Sequence, residues 1–328
     1  MLDCMATVDT LSPGYEACTS GAGLIDRSET GKLLLTGEQA QAFLDGQVSN
    51  EIGALEVGHG RYAALLTNKG RMLGDLRALA TEDGLLVLCE RVALQPLFDQ
   101  VRRGLIGWQA ELHKRTLELG LLSLVGPRAE EIARAAGLAV PGDEEHDVAG
   151  GAGSAYVVRT DAGLDVLPEA ERVADVRAAL LRVGAVEVPE AVGEIVRVEH
   201  GRPRYGIDLD DGVMPAEAGI VERAVSFTKG CYVGQETVAR LHWKGKPNRH
   251  LRGLRLAEPV APGAAVTVAG EDGAVPREVG TVGSAVVSPT CGPIALAILR
   301  REVSPGDHVQ VADGERTVAA DVVTPPFA

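Results

Sequence analysis

The chain shows the same order of predicted elements twice: a strand, a helix, a β-hairpin and a second helix. In the first copy, which has one extra strand, the apolar periodicity that predicts these elements covers residues 31–36, 38–47, 61–67, 71–80, 84–90 and 92–105. In the second copy it covers 122–126, 129–136, 154–160, 163–167 and 172–183. This order predicts two α+β modules of ferredoxin-like type, whose sheets are mostly antiparallel.

The pattern changes from about Pro247 onward. Helical periodicity fades, and roughly six short β-type runs, interrupted by Gly and Pro, fill about 80 residues. Short strands at this spacing are typical of a small barrel or a sandwich. We therefore expect three domains, at residues 1–110, 111–245 and 246–328, with the first two interleaved.

The net charge limits the classes of partner. The chain has 32 Lys and Arg residues against 46 Asp and Glu residues, a net charge of −14 over 328 residues. We therefore expect no strong general binding of nucleic acid, which requires a basic face. No stretch approaches the roughly 18 apolar residues of a membrane span, so we expect no membrane partner. Residues 1–14 contain two Asp and no Lys or Arg, unlike a secretory signal or a mitochondrial presequence, and we expect a cytoplasmic protein.

The cysteines do not form a metal or redox motif of their own. They lie at positions 4, 18, 89, 231 and 291, and no two are spaced as C-x-x-C. This excludes a zinc ribbon or a thioredoxin-type pair within the chain. We expect Cys4, Cys18, Cys89 and Cys291 to be core or surface thiols, as is typical of a reducing compartment.

The segment KGCYVGQETVAR, residues 229–240, is the most unusual in the chain. Cys231 follows Gly230 and Lys229, and a short helix is predicted to begin near Gln235. A thiol beside a lysine and close to a helix N-terminus has its thiolate form stabilised, because the cation and the unpaired N–H groups both favour negative charge. The pattern is equally typical of a buried cysteine in a glycine-rich turn, and the residues alone leave both interpretations open.

Two other segments are locally basic. One contains Arg197, His200, Arg202 and Arg204, and it is either a binding site for a small anion or a solvated helix end. The other, residues 244–255, is either a solvated loop between domains or a contact for a polyglutamate tail, a partner or RNA.

Three segments carry a resemblance to a known family. KGCYVGQETVAR, RPRYGIDL at 202–209 and MPAEAGI at 214–220 resemble the signature region of the YgfZ-type folate-binding proteins. These are relatives of the aminomethyltransferase, or T-protein, of the glycine cleavage system. Residues 23–52 and the β-rich tail resemble the N-terminal part and the C-terminal barrel of the family. The resemblance implies a ring of two α+β modules and a β-barrel around a central cavity that receives tetrahydrofolate or a one-carbon derivative.

The resemblance also implies a function. Members of this branch are accessory proteins in the maturation or repair of iron–sulfur enzymes, including one that modifies tRNA, so iron–sulfur assembly or client proteins are the expected partners. The resemblance implies the reactive role for Cys231, with Lys229, and we expect Cys231 to serve as a metal ligand in a transient iron–sulfur cluster shared with a partner's thiols. One thiolate cannot hold such a cluster alone. The alternatives are a folate-dependent aminomethyl- or methyltransferase and a scaffold without a ligand.

The same resemblance implies the folate-binding residues. Asp165 lies where relatives place an acidic residue that binds the pterin. A carboxylate suits that role because it can accept two hydrogen bonds from the N–H edge of the pterin. Arg197 lies where relatives place an arginine for the glutamate tail. Three signature residues, Arg202, Glu217 and Gln235, are further candidates.

One departure concerns the acidic motif of the first hairpin. Aminomethyltransferases carry adjacent aspartates there, and this chain has Gly74-Asp75 instead. The single aspartate puts one-carbon transfer in doubt and leaves the question of an enzyme open. Asp75 either approaches the folate or is a solvent-facing strand residue.

Overall fold

The computed structural model describes residues 8–151, 153–269 and 276–327, which includes the backbone but not the side chains of residues 8–12. Cys4 therefore lies outside the described residues. Helices α1 to α8 span, in chain order, Val8–Ser20, Ala40–Gln47, Leu94–Gly104, Ala129–Ala135, Val173–Arg182, Glu190–Glu199, Val221–Ala224 and Gln235–Lys244.

The strands follow the same chain order. Strands β1 to β9 span Gly23–Asp26, Gly31–Thr36, Gly60–Leu66, Met72–Thr81, Gly84–Cys89, Glu111–Lys114, Leu122–Val125, Val148–Gly150 and Tyr156–Thr160. Strands β10 to β17 span Gly163–Leu167, Val186–Glu187, Arg249–Leu256, Ala265–Val268, Arg277–Ser288, Gly292–Arg300, His308–Asp313 and Arg316–Val323.

The first sheet has five antiparallel strands in the order β3-β4-β5-β2-β6. Helices α2 and α3 cover one face, because alternate residues of β4 such as Leu76 and Ala78 point into a core with Phe43 and Leu97. The intervening residues of β4 face the other way. Their side of the sheet includes Asp75 and Leu79, and it is the side on which the functional groups described below are found.

The second sheet has six strands in the order β11-β1-β7-β10-β9-β8, and only the β1–β11 pair is parallel. Helices α4 and α5 cover its outer face with an apolar core. Its inner face packs on the first sheet through a shared cluster that includes Leu79, Leu121 and Val158. The two sheets exchange strands, because β1 pairs with β7 in the second sheet and β6 pairs with β2 in the first.

The C-terminal strands close into a six-stranded antiparallel barrel in the order β12-β15-β14-β13-β16-β17. Its interior is made of Leu, Val and Ala side chains that alternate with exposed residues, as Val309 and Val311 do along β16. Closure leaves no unpaired sheet edge. A barrel is therefore present, and the alternative of a sandwich is wrong.

The predicted fold class is confirmed: two sheet-containing α+β modules and a closed β-barrel. The described residues form two compact units. One contains residues 13–193 and 222–237 with both sheets, and the other contains 8–12, 194–221 and 238–327 with the barrel. Within these ranges, no helix has the length and apolarity that crossing a bilayer requires.

Candidate active site

A buried carboxyl group lies on the inner face of the first sheet. Asp75 of β4 is only 8 % exposed, so it is not the solvent-facing residue that the sequence left as an alternative. The register of the hairpin sets Tyr62 of β3 opposite Arg77 and diagonal to Asp75. The Tyr62 hydroxyl donates a hydrogen bond of 2.6 Å to Asp75 Oδ2. Burial raises the pKa of Asp75, and Tyr62, Arg223 and Arg77 only partly offset that rise.

Two residues from distant parts of the chain join this hairpin. The Arg223 guanidinium lies 4.9 Å from the centre of the Tyr62 ring and forms an ion pair with Glu145. The His146 ring lies 6.3 Å from the Tyr62 ring, centre to centre. Burial, with the positive charges of Arg77 and Arg223, lowers the pKa of His146 to about 3, so its imidazole is neutral at physiological pH.

Tyr62, Asp75, Arg77, His146 and Arg223 form one cluster, and it contains polar atoms without partners. In the described part of the chain, His146 Nδ1 and Arg223 Nε are buried and have no hydrogen-bond partner. Such atoms are uncommon in folded proteins and need an explanation, because an unmade hydrogen bond in a buried place is costly. Both belong to side chains that flank the Tyr62 ring, so the cluster can bind a polar, planar group.

Asp165 lies at the edge of the same cluster. Ser123 donates a hydrogen bond of 2.6 Å to Asp165 Oδ1, and Arg77 forms an ion pair of 2.6 Å with Oδ2. Asp165 is on β10 and Arg77 on β4, so the pair joins the two sheets. Both carboxylate oxygens are thus engaged, and the role of Asp165 in reading a pterin stays a prediction.

The loop that carries Cys231 is anchored by its lysine. The Lys229 ammonium is buried and contacts Asp45 Oδ1 at 3.0 Å and the carbonyl oxygens of Asp45, Val48 and Asn50 at 2.5, 3.1 and 2.7 Å. Burial lowers the pKa of Lys229, and Asp45 opposes that change. The ammonium group therefore fixes the loop to the end of α2, and its predicted role in activating a thiol stays a prediction.

Cys231 is exposed, so the interpretation as a buried cysteine in a turn is wrong. Helix α8 begins four residues later, at Gln235, which is half-buried. Gly234 has a φ of +85°, and a Cβ there would lie 2.6 Å from the Thr67 carbonyl oxygen, so the loop packs closely on the first hairpin. Val233 lines a cavity of about 460 Å³ between this loop, the hairpin and α3. Among the described residues, no group of three or more His, Cys, Asp or Glu side chains is arranged to hold a metal ion.

The remaining predicted residues lie in the unit that contains the barrel. The Arg197 guanidinium contacts Glu194 at 2.8 Å, Asp208 at 3.0 Å and the Ser284 hydroxyl at 2.5 Å, and it also binds the Arg202 carbonyl oxygen. Glu217 is buried and pairs with Arg249 at 2.9 Å. These contacts fix the two signature segments, and the folate-binding roles of Arg197, Arg202 and Glu217 stay predictions.

The structure thus brings Asp75 and Asp165 into one cluster, and it places Lys229 and Cys231 in the loop that leads to Gln235 at the start of α8. Sequence reasoning did not find Tyr62, Arg77, His146 and Arg223. The hairpin register would have paired Tyr62 with the Asp75 strand. His146 and Arg223 give no local signal, because they reach the cluster through long-range contacts.

Comparison with known proteins agrees with this fold. Residues 7–144 match the GCVT N-terminal domain, and residues 249–328 match the glycine cleavage T-protein C-terminal barrel domain. The aminomethyltransferase of Rubrobacter xylanophilus is 29 % identical over 95 % of this chain and 85 % of its own length. A putative chloroplastic transferase of Arabidopsis thaliana is 26 % identical over 80 % of this chain and 63 % of its own.

A solved structure has the same fold. The glycine cleavage system aminomethyltransferase T from Bartonella henselae aligns with a TM-score of 0.86 at 22 % identity, over 96 % of this chain and 89 % of that one. The likeness shows the fold, and the two domain matches, with relatives that span the chain, show that the protein belongs to the aminomethyltransferase superfamily, that of the glycine cleavage T-protein.

Proposed function

We propose that this protein binds a reduced folate beside Tyr62 and Asp75 and is a folate-dependent aminomethyl- or methyltransferase. The observation that carries the proposal is the buried Asp75 carboxyl group, hydrogen-bonded to Tyr62 and set among Arg77 and Arg223. It lies within the part of the chain that matches the GCVT N-terminal domain. Relatives named aminomethyltransferase, which align over 95 % of the chain, support the same activity.

The residues of the cluster fit a pterin. The Tyr62 ring offers an aromatic face, and Asp75 offers a carboxyl group that accepts hydrogen bonds. The unpartnered His146 Nδ1 and Arg223 Nε are the kind of atoms that the polar edge of a heterocycle satisfies. When bound, a reduced folate would supply the nitrogen atoms that carry the one-carbon unit.

The chain's own contribution is to hold and move a proton. Burial raises the pKa of the Asp75 carboxyl group above its ordinary value, a change in the direction that suits a general acid–base. Tyr62 fixes the orientation of that carboxyl group through its hydrogen bond. The charges of Arg77 and Arg223 keep the ionised form accessible despite burial.

The missing second aspartate does not weaken this proposal. A Cβ on Gly74 would lie 3.0 Å from the Ala93 Cβ and 3.6 Å from Leu97 Cδ1, so position 74 faces α3 and the apolar core. Asp75 faces the opposite side of the same strand. A carboxylate at position 74 would therefore lie away from Tyr62, and its absence removes nothing from this cluster.

The second candidate is the YgfZ-type function, an accessory protein for iron–sulfur enzymes. It is favoured by the exposure of Cys231 on a loop that Lys229 and Gly234 fix in place. A cluster held by Cys231 would need thiols from a partner, because iron–sulfur clusters are normally held by four thiolates.

One set of variants separates these functions. Wild type, Asp75→Asn and Cys231→Ser are compared by equilibrium dialysis with tetrahydrofolate and by turnover with methylated amines or glycine-cleavage intermediates. Transferase activity requires that wild type and Cys231→Ser turn over and that Asp75→Asn does not.

The accessory function gives a different result. Wild type then binds tetrahydrofolate without turnover, and Cys231→Ser fails to restore iron–sulfur enzyme activity in cells that lack the native copy. Absence of tetrahydrofolate binding by wild type would contradict both functions and favour a scaffold.

A further inference from the structure

His146 has an unusual backbone conformation. Among the described residues other than glycine, it is the one with a positive φ, +78°. Its backbone N–H donates to the Arg159 carbonyl oxygen at 3.0 Å, and its neighbour Asp147 accepts from the Glu144 N–H through its side chain. A histidine in the left-handed region is maintained only where the surroundings fix it, and such residues are concentrated at functional sites.

The His146 side chain is buried, and one of its two ring nitrogens has no hydrogen-bond partner among the described residues. It is 6 % exposed, and no described residue forms a hydrogen bond with its Nδ1. The His146 ring packs beside the Tyr62 ring at an interplanar angle of 34°. It does not belong to the apolar core of either module. A group that binds against Tyr62 is therefore within the reach of this ring.

The residues around His146 also indicate whether Nδ1 donates or accepts a hydrogen bond. Nε2 lies 3.6 Å from Glu145 Oε1, which is beyond hydrogen-bond distance, and the negative charge of that carboxylate favours the tautomer with its proton on Nε2. Arg61, Arg77 and Arg223 oppose a second proton, and Asp161 favours it only weakly against burial. Nδ1 is then a lone-pair acceptor, so its partner must be a donor.

We propose that His146 is a ligand-contacting residue that sets specificity, accepting at Nδ1 a hydrogen bond from an N–H group of a planar heterocycle bound against Tyr62. The inference rests on the proposed function, in which that heterocycle is the pterin of a reduced folate. It adds a residue to the site, because neither the domain matches nor the sequence motifs point to position 146.

The experiment compares two substitutions that tolerate the left-handed backbone. His146→Asn retains a side-chain acceptor, and His146→Gly removes it. Thermal unfolding first establishes that both variants fold, and titration calorimetry then measures their affinity for tetrahydrofolate. We expect His146→Gly to bind about tenfold more weakly than wild type, the loss expected for one hydrogen bond of about 1.4 kcal/mol. His146→Asn should lie between the two.

A second readout does not depend on the variants. In the ¹⁵N spectrum of the wild-type histidine rings, Nδ1 of His146 should be unprotonated without ligand and should shift on addition of tetrahydrofolate. Equal affinities of wild type and His146→Gly, or a Nδ1 resonance that ligand does not move, would overturn the inference while leaving the proposed function intact. If wild type itself does not bind tetrahydrofolate, the proposed function fails first and the inference falls with it.

Discussion

The Lys229 ammonium lies 3.0 Å from Asp45 Oδ1 and within 3.1 Å of three backbone carbonyl oxygens at positions 45, 48 and 50. One buried cation thus contacts four acceptor oxygens around the end of α2. Cys231 is exposed only two residues away. The same loop therefore combines a buried, fixed cation with an accessible thiol.

Replacing Lys229 should destabilise the protein strongly. Lys229→Met keeps the length of the side chain but leaves Asp45 and the carbonyl oxygens without their cation. We expect a loss of about 3–5 kcal/mol in the free energy of unfolding, measured in guanidinium chloride. Lys69→Met, at an exposed lysine of the first hairpin turn, should stay within about 0.5 kcal/mol of wild type. Equal effects of the two substitutions would contradict the anchoring role.

Gly234 should resist substitution, unlike its neighbour Gly230. A Cβ on Gly234 would lie 2.6 Å from the Thr67 carbonyl oxygen at a φ of +85°, and a Cβ on Gly230 meets nothing within 4 Å. Gly234→Ala should lower the free energy of unfolding by about 1–3 kcal/mol and change the rate at which Cys231 reacts with a disulfide reagent. Gly230→Ala is the matched control, and a similar loss there would show that the packing on the hairpin is not responsible.

The ionised Asp75 side chain should lower the free energy of unfolding, although turnover should depend on it. Because burial raises its pKa, the folded chain binds a proton that the unfolded chain has lost, so this residue's contribution falls as pH rises from the unfolded pKa through the folded one. Asp75→Asn should therefore be more stable than wild type at pH 7 in urea denaturation. Its turnover should fall by about 10²–10⁴, the usual contribution of a general acid–base. A variant that is both less stable and fully active would refute this assignment.

His146 should make the protein sensitive to acid. Its pKa is lowered from 6.5 to about 3, so between these values the unfolded chain binds a proton that the folded chain does not. Stability from this residue is complete above pH 6.5 and is lost as pH falls toward 3, with a slope of up to about 1.4 kcal/mol per pH unit. The difference between wild type and His146→Asn, measured by urea denaturation from pH 7 to pH 4, should show this slope. Parallel curves would mean that the ring takes up a proton as readily in the folded chain as in the unfolded chain.

The Arg77–Asp165 ion pair should couple the two sheets. Removing either partner leaves the other charge poorly compensated, so Arg77→Met and Asp165→Asn should each cost about 3 kcal/mol of unfolding free energy. In a double-mutant cycle, the double variant should cost at least about 1 kcal/mol less than the two single losses together.

Additive losses would show that the ion pair contributes little. The same variants also address the pterin. If Asp165→Asn loses more tetrahydrofolate affinity than Arg77→Met under conditions in which both variants are folded, the predicted contact of Asp165 with the ligand is supported.

Local patterns were sufficient to predict most of the elements. The periodicity placed α3 and β10 to within about two residues. The six strands of the barrel followed from alternation and glycine-rich turns. Each of these features depends on residues that are close in sequence.

The candidate site was only partly predictable, for a physical reason. Asp75 stood out through its motif, but its surroundings include His146 and Arg223, which are 71 and 148 positions away along the printed sequence. Lys229 was identified as chemically notable, but the pattern could not show that its ammonium reaches Asp45. Contacts of this kind depend on how strands pair, which residue spacing does not specify.

The exchanged strands have a consequence for how the chain acquires its structure. A fragment cut near residue 105 would lack β6, the outer partner of β2, and would expose β1 without its neighbour β7. The N-terminal part of residues 13–193 thus cannot complete its strand pairing until β6 and β7 have been synthesised. We expect this region to emerge from the ribosome without a stable intermediate and to fold cooperatively only once β7 is available.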